Sequence, residues 1–243
     1  MQDKSKRAEL MKSQGSREIW IGVRDALPLM LGLLPFGITC GILALAAGLT
    51  GVEAVMMSLL VYAGAAQFIS ISMLAAGVSD WTIITLTTLL INLRHLLMGA
   101  SMAPYMLKLP VPVQAFLTFG LTDESFALNT AYISGKAYSP YYQAGSQTAL
   151  YLMWSVSTTI GVLLGAYITD PLAWGIDFAM PAIFLALLIP RLVDRTSLIV
   201  CFVSAVLALL GNLYLPGKWY IIIACAAACL VGGLLKGGER DAA

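Results

Sequence analysis

The sequence predicts an all-α integral membrane protein of about eight transmembrane helices, some broken at the midplane, with both termini cytoplasmic. Three observations carry that expectation. Of 243 residues, 59% are hydrophobic and only 11% charged, against about 25% charged in a soluble domain, and mean hydropathy is +0.85. Apolar stretches long enough to cross about 30 Å of hydrocarbon recur along the whole chain. The basic residues divide unevenly between alternate loops.

Taken in order, the predicted spans are 25–47, 53–76, 81–105, 113–134, 145–168, 172–190, 196–214 and 218–235. Short turn-like linkers such as LTGVE, GVSD and KLPVP make sequential spans antiparallel neighbours. With the N-terminus inside, the inner side collects Lys4, Lys6, Arg7, Lys12, Arg17, Arg24, Lys136, Arg191, Arg195, Lys236 and Arg240. The outer side has only Lys108 and Lys218. This bias calls for an even number of spans with cytoplasmic ends. The expected organisation is a cytoplasmic N-terminal segment over 1–24, a single transmembrane domain over 25–235 and a cytoplasmic tail over 236–243. No cleavable signal is expected, because a polar lead precedes a first apolar stretch too long for a signal. Trp20, Trp81, Trp174 and Trp219 fall at span ends, as an interfacial belt requires.

The fourteenth basic residue, Arg94, belongs to no loop. It sits beside His95, the sole histidine, and Asn92 in the middle of span three. Counting places Pro35-Phe36-Gly37, Gly64 to Gln67, Asn92 to His95 and Asp123-Glu124 at the centres of four consecutive spans. Helix breakers and polar groups at one depth are the pattern of a secondary transporter's binding site. Pro35 removes a backbone hydrogen bond and Gly37 eases a break. A discontinuity is therefore expected in span one or span two. In span four, Asp123 and Glu124 fall roughly 100° or more off the Thr118-Thr122-Ser125-Asn129 face of an ideal helix, so that span is either buried on all sides or unwound near Gly120, and the break is the favoured reading.

Arg94 and Asp123 lie equally far from the loop joining spans three and four, so antiparallel packing brings them to matching depth. Each isolated charge costs roughly 2.5–3.5 kcal/mol at a helix centre on insertion scales. A pair of Arg94 with Asp123 or Glu124 recovers much of that. Thr88, Asn92, His95 and Gly99 share one face of span three; Thr118, Thr122, Ser125 and Asn129 repeat the spacing on span four. Polar stripes between helices also serve simply as glue, and Gln67 reads equally well as interhelical glue or substrate contact.

Several functions are disfavoured. One histidine cannot supply an intramembrane metalloprotease, and neither a GxSxG elbow nor a Walker motif occurs. No cofactor or metal is expected; Cys225 and Cys229 share a helix face but read as soft packing groups. A net charge of +1 argues against nucleic acid. A channel would need a continuous polar lining, which the nearly uncharged spans after residue 145 lack. Secondary transport is the leading reading, with a channel or a membrane-embedded enzyme for another small polar substrate as the alternative.

LPFGITCG (34–41), MSLLVYAGAAQF (57–68), INLRHLLMGASM (91–102) and FGLTDESFAL (119–128) resemble the signature segments of the AzlC family. The family comprises large subunits of two-component branched-chain amino acid exporters. The resemblance implies a bacterial or archaeal inner membrane, export of hydrophobic amino acids and a small AzlD-like membrane partner; a higher oligomer is compatible with it. In that frame Pro35, Gly37, Gly64, Gln67, Asn92, Arg94, Asp123 and Glu124 are the expected substrate-binding residues. His95, Asp123 and Glu124 are the expected proton-coupling groups, since a histidine beside two carboxylates suits proton antiport.

Overall fold

In a computed structural model, the described backbone covers residues 2–168, 192–215 and 219–241, with isolated positions between 178 and 189; within these, side chains are described from Gln14 to residue 235 except at 219, 221 and 222. Predicted span 172–190 therefore lies largely outside the described residues. Nine helices occur among the described residues: α1 (Gln2–Ala46), α2 (Gly51–Leu60), α3 (Gly64–Ala75), α4 (Trp81–Met106), α5 (Val111–Phe119), α6 (Asp123–Gly135), α7 (Pro140–Gly165), α8 (Arg195–Tyr214) and α9 (Trp219–Asp241). Among the described residues, four helical stretches are long and apolar enough to cross a membrane: Gln14–Ala46, Trp81–Met106, Pro140–Gly165 and Arg195–Tyr214. Leu31, Leu96, Leu97 and Phe202 are each about 70% exposed. A water-soluble fold would bury such side chains, whereas lipid is their natural solvent.

Predicted spans two and four are each interrupted. The first breaks between Leu60 and Gly64, the second between Phe119 and Asp123. Span one, by contrast, is an unbroken helix through both Pro28 and Pro35. The Pro35-Gly37 expectation is corrected by packing. α1 and α7 run side by side in the same direction: a Cβ on Gly145 would lie 2.3 Å from the Ile19 carbonyl oxygen, and one on Gly161 would lie 2.1 Å from that of Ile38. Gly37 belongs to this contact, since a Cβ there would strike Ser157 Oγ. Small residues let two helix backbones approach this closely, and the long interface keeps α1 helical through its prolines. The Thr39 hydroxyl donates to the Pro35 carbonyl at 2.8 Å within the same stretch.

The chain forms two compact units, residues 1–67 with 92–169, and residues 68–91 with 170–243. In the first, Ala26, Ala149 and Leu150 fill the α1–α7 seam, and Met98, Met102, Met106, Leu117 and Leu121 pack between α4 and the α5–α6 segment. In the second, Met73, Val78, Ile83 and Ile84 close the α3–α4 turn. Gly211 of α8 admits Tyr220 of α9, and the two helices flank an apolar groove of about 720 Å³ whose lining includes Cys201, Ser204, Cys225 and Ala228.

Candidate substrate site at the helix breaks

Both breaks lie in the first unit, and they meet. Break one is Val61-Tyr62-Ala63. Tyr62 adopts φ +46°, among the described residues the single non-glycine with positive φ. That conformation costs on the order of 1–3 kcal/mol and persists only where surroundings enforce it. The surroundings are aromatic: the buried Tyr62 ring lies edge to face on Tyr151 of α7 at 4.9 Å and 6.2 Å from Phe119, the last residue of α5. Break two is Gly120-Leu121-Thr122. Here the sequence Thr-Asp-Glu-Ser starts a helix, with the Thr122 hydroxyl accepting from the Ser125 amide while Ser125 Oγ accepts from the Thr122 amide. The local capping preference thus restarts the helix instead of continuing it.

A broken helix exposes carbonyls that lipid cannot satisfy. α7 supplies the donors. Gln143 Nε2 donates to the Leu117 carbonyl at 3.2 Å, Gln147 Nε2 to Phe116 at 3.1 Å, and the Tyr151 hydroxyl to Leu59 at 2.9 Å. Further along, Trp154 Nε1 donates to Gln67 Oε1 at 3.0 Å. Gln67 Nε2 reaches Ser58, and Ser58 reaches Thr158. Residues 143, 147, 151, 154 and 158 recur at helical spacing, so one face of α7 holds the ends of both interrupted helices. These side chains were missed in the sequence reading, which weighed charge and overlooked a stripe of uncharged donors with that spacing.

Arg94 projects from α4 to the start of α6, where its Nη1 donates to Asp123 Oδ2, both side chains being 30% exposed. The break explains how Asp123 meets Arg94 although an ideal continuous helix would point it away from the Thr118–Asn129 stripe. The stripe itself is spent on local structure: Ser125 and Thr122 cap α6, and Asn129 Nδ2 donates to the Ser125 carbonyl. Among the described residues, two buried polar atoms of α4, Arg94 Nε in the ion pair itself and Asn92 Oδ1, have no hydrogen-bond partner. His95 and Glu124 are half-buried, and His95 lies within the fields of Arg94, Asp123 and Glu124.

The expected site residues therefore divide. Arg94, His95, Asp123 and Glu124 gather at break two, while Asn92 lies on α4 two residues before Arg94. Gly64 and Gln67 gather at break one, where Gly64 fits beneath the Trp154 ring and both ends of the Gln67 amide are engaged. Pro35 and Gly37 remain in the unbroken α1.

A second polar cluster ties the far end of α6 to α1 and α7. The Tyr132 hydroxyl donates to Glu18, that of Tyr142 to Asp25 at 3.0 Å, and the two rings stack at 3.9 Å. Lys136 sits 4.8 Å above the Tyr132 ring. In the adjoining loop, burial pushes the Tyr138 phenol up to about 12. It therefore stays protonated and donates to Gln143 Oε1 at 2.8 Å.

Paired half-helices, an intramembrane ion pair and lipid-facing flanks define a multi-pass membrane protein of transporter type. The AzlC protein family model matches residues 28–168, and the chain belongs to that family. It is 31% identical over 207 residues to the inner membrane protein YgaZ of Escherichia coli (strain K12), covering 83% of each chain. It is 32% identical over 222 residues to an uncharacterized membrane protein of Archaeoglobus fulgidus, covering 90% of this chain and 94% of that one. The branched-chain amino acid transport protein AzlC of Bacillus subtilis (strain 168) is 26% identical over 215 residues, covering 86% and 84%. No solved structure matches the chain.

Proposed function

We propose that this chain is the large subunit of a secondary transporter that exports branched-chain or other hydrophobic amino acids, with the substrate held where the two helix breaks meet. The observation that carries the reading is the convergence of break one on break two beside Arg94 and Asp123. Half-helix ends there offer opposite partial charges, and a zwitterion needs both signs close together. Arg94, with an uncommitted Nε–H, suits the substrate carboxylate; the acidic first turn of α6 suits its ammonium. His95, Asp123 and Glu124 are the coupling groups if export exchanges for protons. A small AzlD-like membrane protein is the proposed partner, and the similarity to the branched-chain amino acid transport protein of Bacillus subtilis supports the substrate class. The test is flux of radiolabelled leucine or valine in liposomes carrying this chain with and without that partner. Outward flux requiring both subunits is expected. Full flux from this chain alone would remove the partner, and no flux of any hydrophobic amino acid with both would remove the function.

A further inference from the structure

Three glutamines are buried in the first unit, and their amides differ in one respect. Gln67 has its oxygen filled by Trp154 Nε1 and its nitrogen by Ser58. Gln143 has its oxygen filled by the Tyr138 hydroxyl and its nitrogen by the Leu117 carbonyl. Gln147, 1% exposed, has its nitrogen committed to the Phe116 carbonyl, and among the described residues no donor reaches its oxygen. The donor bond to a carbonyl fixes which end of the amide is which, so the orphaned atom is an acceptor. A buried carbonyl oxygen without a donor costs on the order of 1–3 kcal/mol, so its retention calls for an incoming donor.

The surroundings say which donor. Gln147 lies against Gly120 at break two, where a Cβ on Gly120 would come within 2.6 Å of its amide carbon. It faces the C-terminal end of the half-helix α5, which carries a partial negative charge. One turn further along α7, Tyr151 closes the other side of the break through Tyr62 and Phe119. An acceptor at the negative end of a half-helix is built for a compact cation that donates hydrogen bonds.

We propose that Gln147 Oε1 accepts an N–H of the transported amino acid's ammonium group, whose charge the acidic first turn of α6 balances. The assignment rests on the amino-acid reading above and deepens it. With Arg94 on the carboxylate, it fixes the substrate's orientation across break two and makes Gln147 the residue that requires a primary amine. It also accounts for Gly120: any side chain there would displace the amide that reads the substrate.

Two substitutions separate recognition from support. Gln147→Met loses both the donor to Phe116 and the acceptor, whereas Gln147→Glu, held neutral by burial, keeps an acceptor and can donate to Phe116 through its hydroxyl. Binding is measured on the purified chain together with its small partner subunit, for leucine and for its 2-hydroxy acid, with membrane level and thermal midpoint recorded for each variant. Wild type is expected to prefer leucine by at least tenfold, since hydrogen bonds to charged groups discriminate on the order of ten- to a hundredfold. Gln147→Met should lose that preference and Gln147→Glu should retain it. Equal loss in both variants, or none in either, overturns the assignment while leaving amino-acid transport standing; Gln147 would then only support α5 or hold water. Should Gln147→Met not fold, wild type decides: equal affinity for leucine and its hydroxy acid overturns the ammonium contact. Leucine binding that requires sodium and ignores the amine assigns the oxygen to a metal cation and overturns it as well. Wild type that binds no hydrophobic amino acid defeats the transport reading and this assignment together.

Discussion

The rings of Tyr62 and Tyr151 meet edge to face at 4.9 Å, and the Tyr151 hydroxyl donates to the Leu59 carbonyl three residues before Tyr62. One tyrosine of a continuous helix thus holds both the ring and the backbone of an interrupted one. The strained Tyr62 conformation is maintained from outside its own segment, so break one depends on α7 as much as on local sequence.

Tyr151→Phe tests that dependence. The phenylalanine ring keeps the contact with Tyr62 and Phe119 but leaves the Leu59 carbonyl without its donor. The expected loss is about 1–2 kcal/mol, the desolvation cost of an orphaned backbone acceptor. For a chain of this length that lowers the thermal midpoint by a few degrees. An unchanged midpoint in detergent would mean the carbonyl is satisfied in another way.

Glycines of α1 and α7 make contrasting predictions. Gly161→Ala places a methyl group 2.1 Å from the Ile38 carbonyl oxygen, so the parallel backbones must separate. Overpacking of this kind costs about 1–3 kcal/mol. Gly32 of the same α1 has nothing within 4 Å of a Cβ. Gly32→Ala should therefore be neutral or stabilising by roughly 0.5–1 kcal/mol through helix propensity. Membrane levels and thermal midpoints of the two variants should diverge in that order.

Much of this was legible in the sequence because charge inside a membrane has few uses. Arg94 and Asp123 were matched by counting residues from a loop, and the pair is present. The restart of α6 was legible too, since Thr122 to Ser125 spells a helix cap in the middle of an apolar run. Pro35 misled, because the closeness of α1 to α7 is a property of two helices distant in sequence, and that packing overrules a local breaker. Break one carries no comparable signature: Tyr62 in a left-handed conformation is chosen by Tyr151 and Phe119, which no window of sequence contains. The donor stripe on α7 was visible at helical spacing, yet uncharged donors become conspicuous only once there are broken ends for them to satisfy.

The basic residues predict an orientation, which labelling tests. With cytoplasmic termini, the α4–α5 turn faces outward and the α6–α7 loop inward. Lys108 and Ala137 are exposed positions in those two connections. In a background lacking the four native cysteines, a membrane-impermeant thiol reagent added to intact cells should label Lys108→Cys and spare Ala137→Cys. The reverse pattern would invert the protein.

The ion pair permits the sharpest test of mechanism. If Arg94 and Asp123 serve only to hold α4 against α6, exchanging them by Arg94→Asp with Asp123→Arg should preserve both membrane level and export. The exchange has one built-in penalty: arginine in the first turn of α6 opposes the helix dipole, at roughly 0.3–1 kcal/mol. That is small beside the several kcal/mol of an uncompensated intramembrane charge, so the exchanged protein should still insert. If the pair opens to clamp a zwitterion, the exchange reverses what each helix can receive, and export should fall to background in a folded protein. His95→Gln completes the experiment, since it keeps a polar side chain of similar size but cannot titrate near neutral pH. Under proton antiport this variant should exchange leucine down its own gradient and lose acceleration by an imposed pH step, measured in liposomes with the small subunit present. Acceleration that survives in His95→Gln moves the coupling to Asp123 and Glu124. A wild type that ignores the pH step ends proton coupling, and leaves His95 as a polar neighbour of the pair with no part in the driving force.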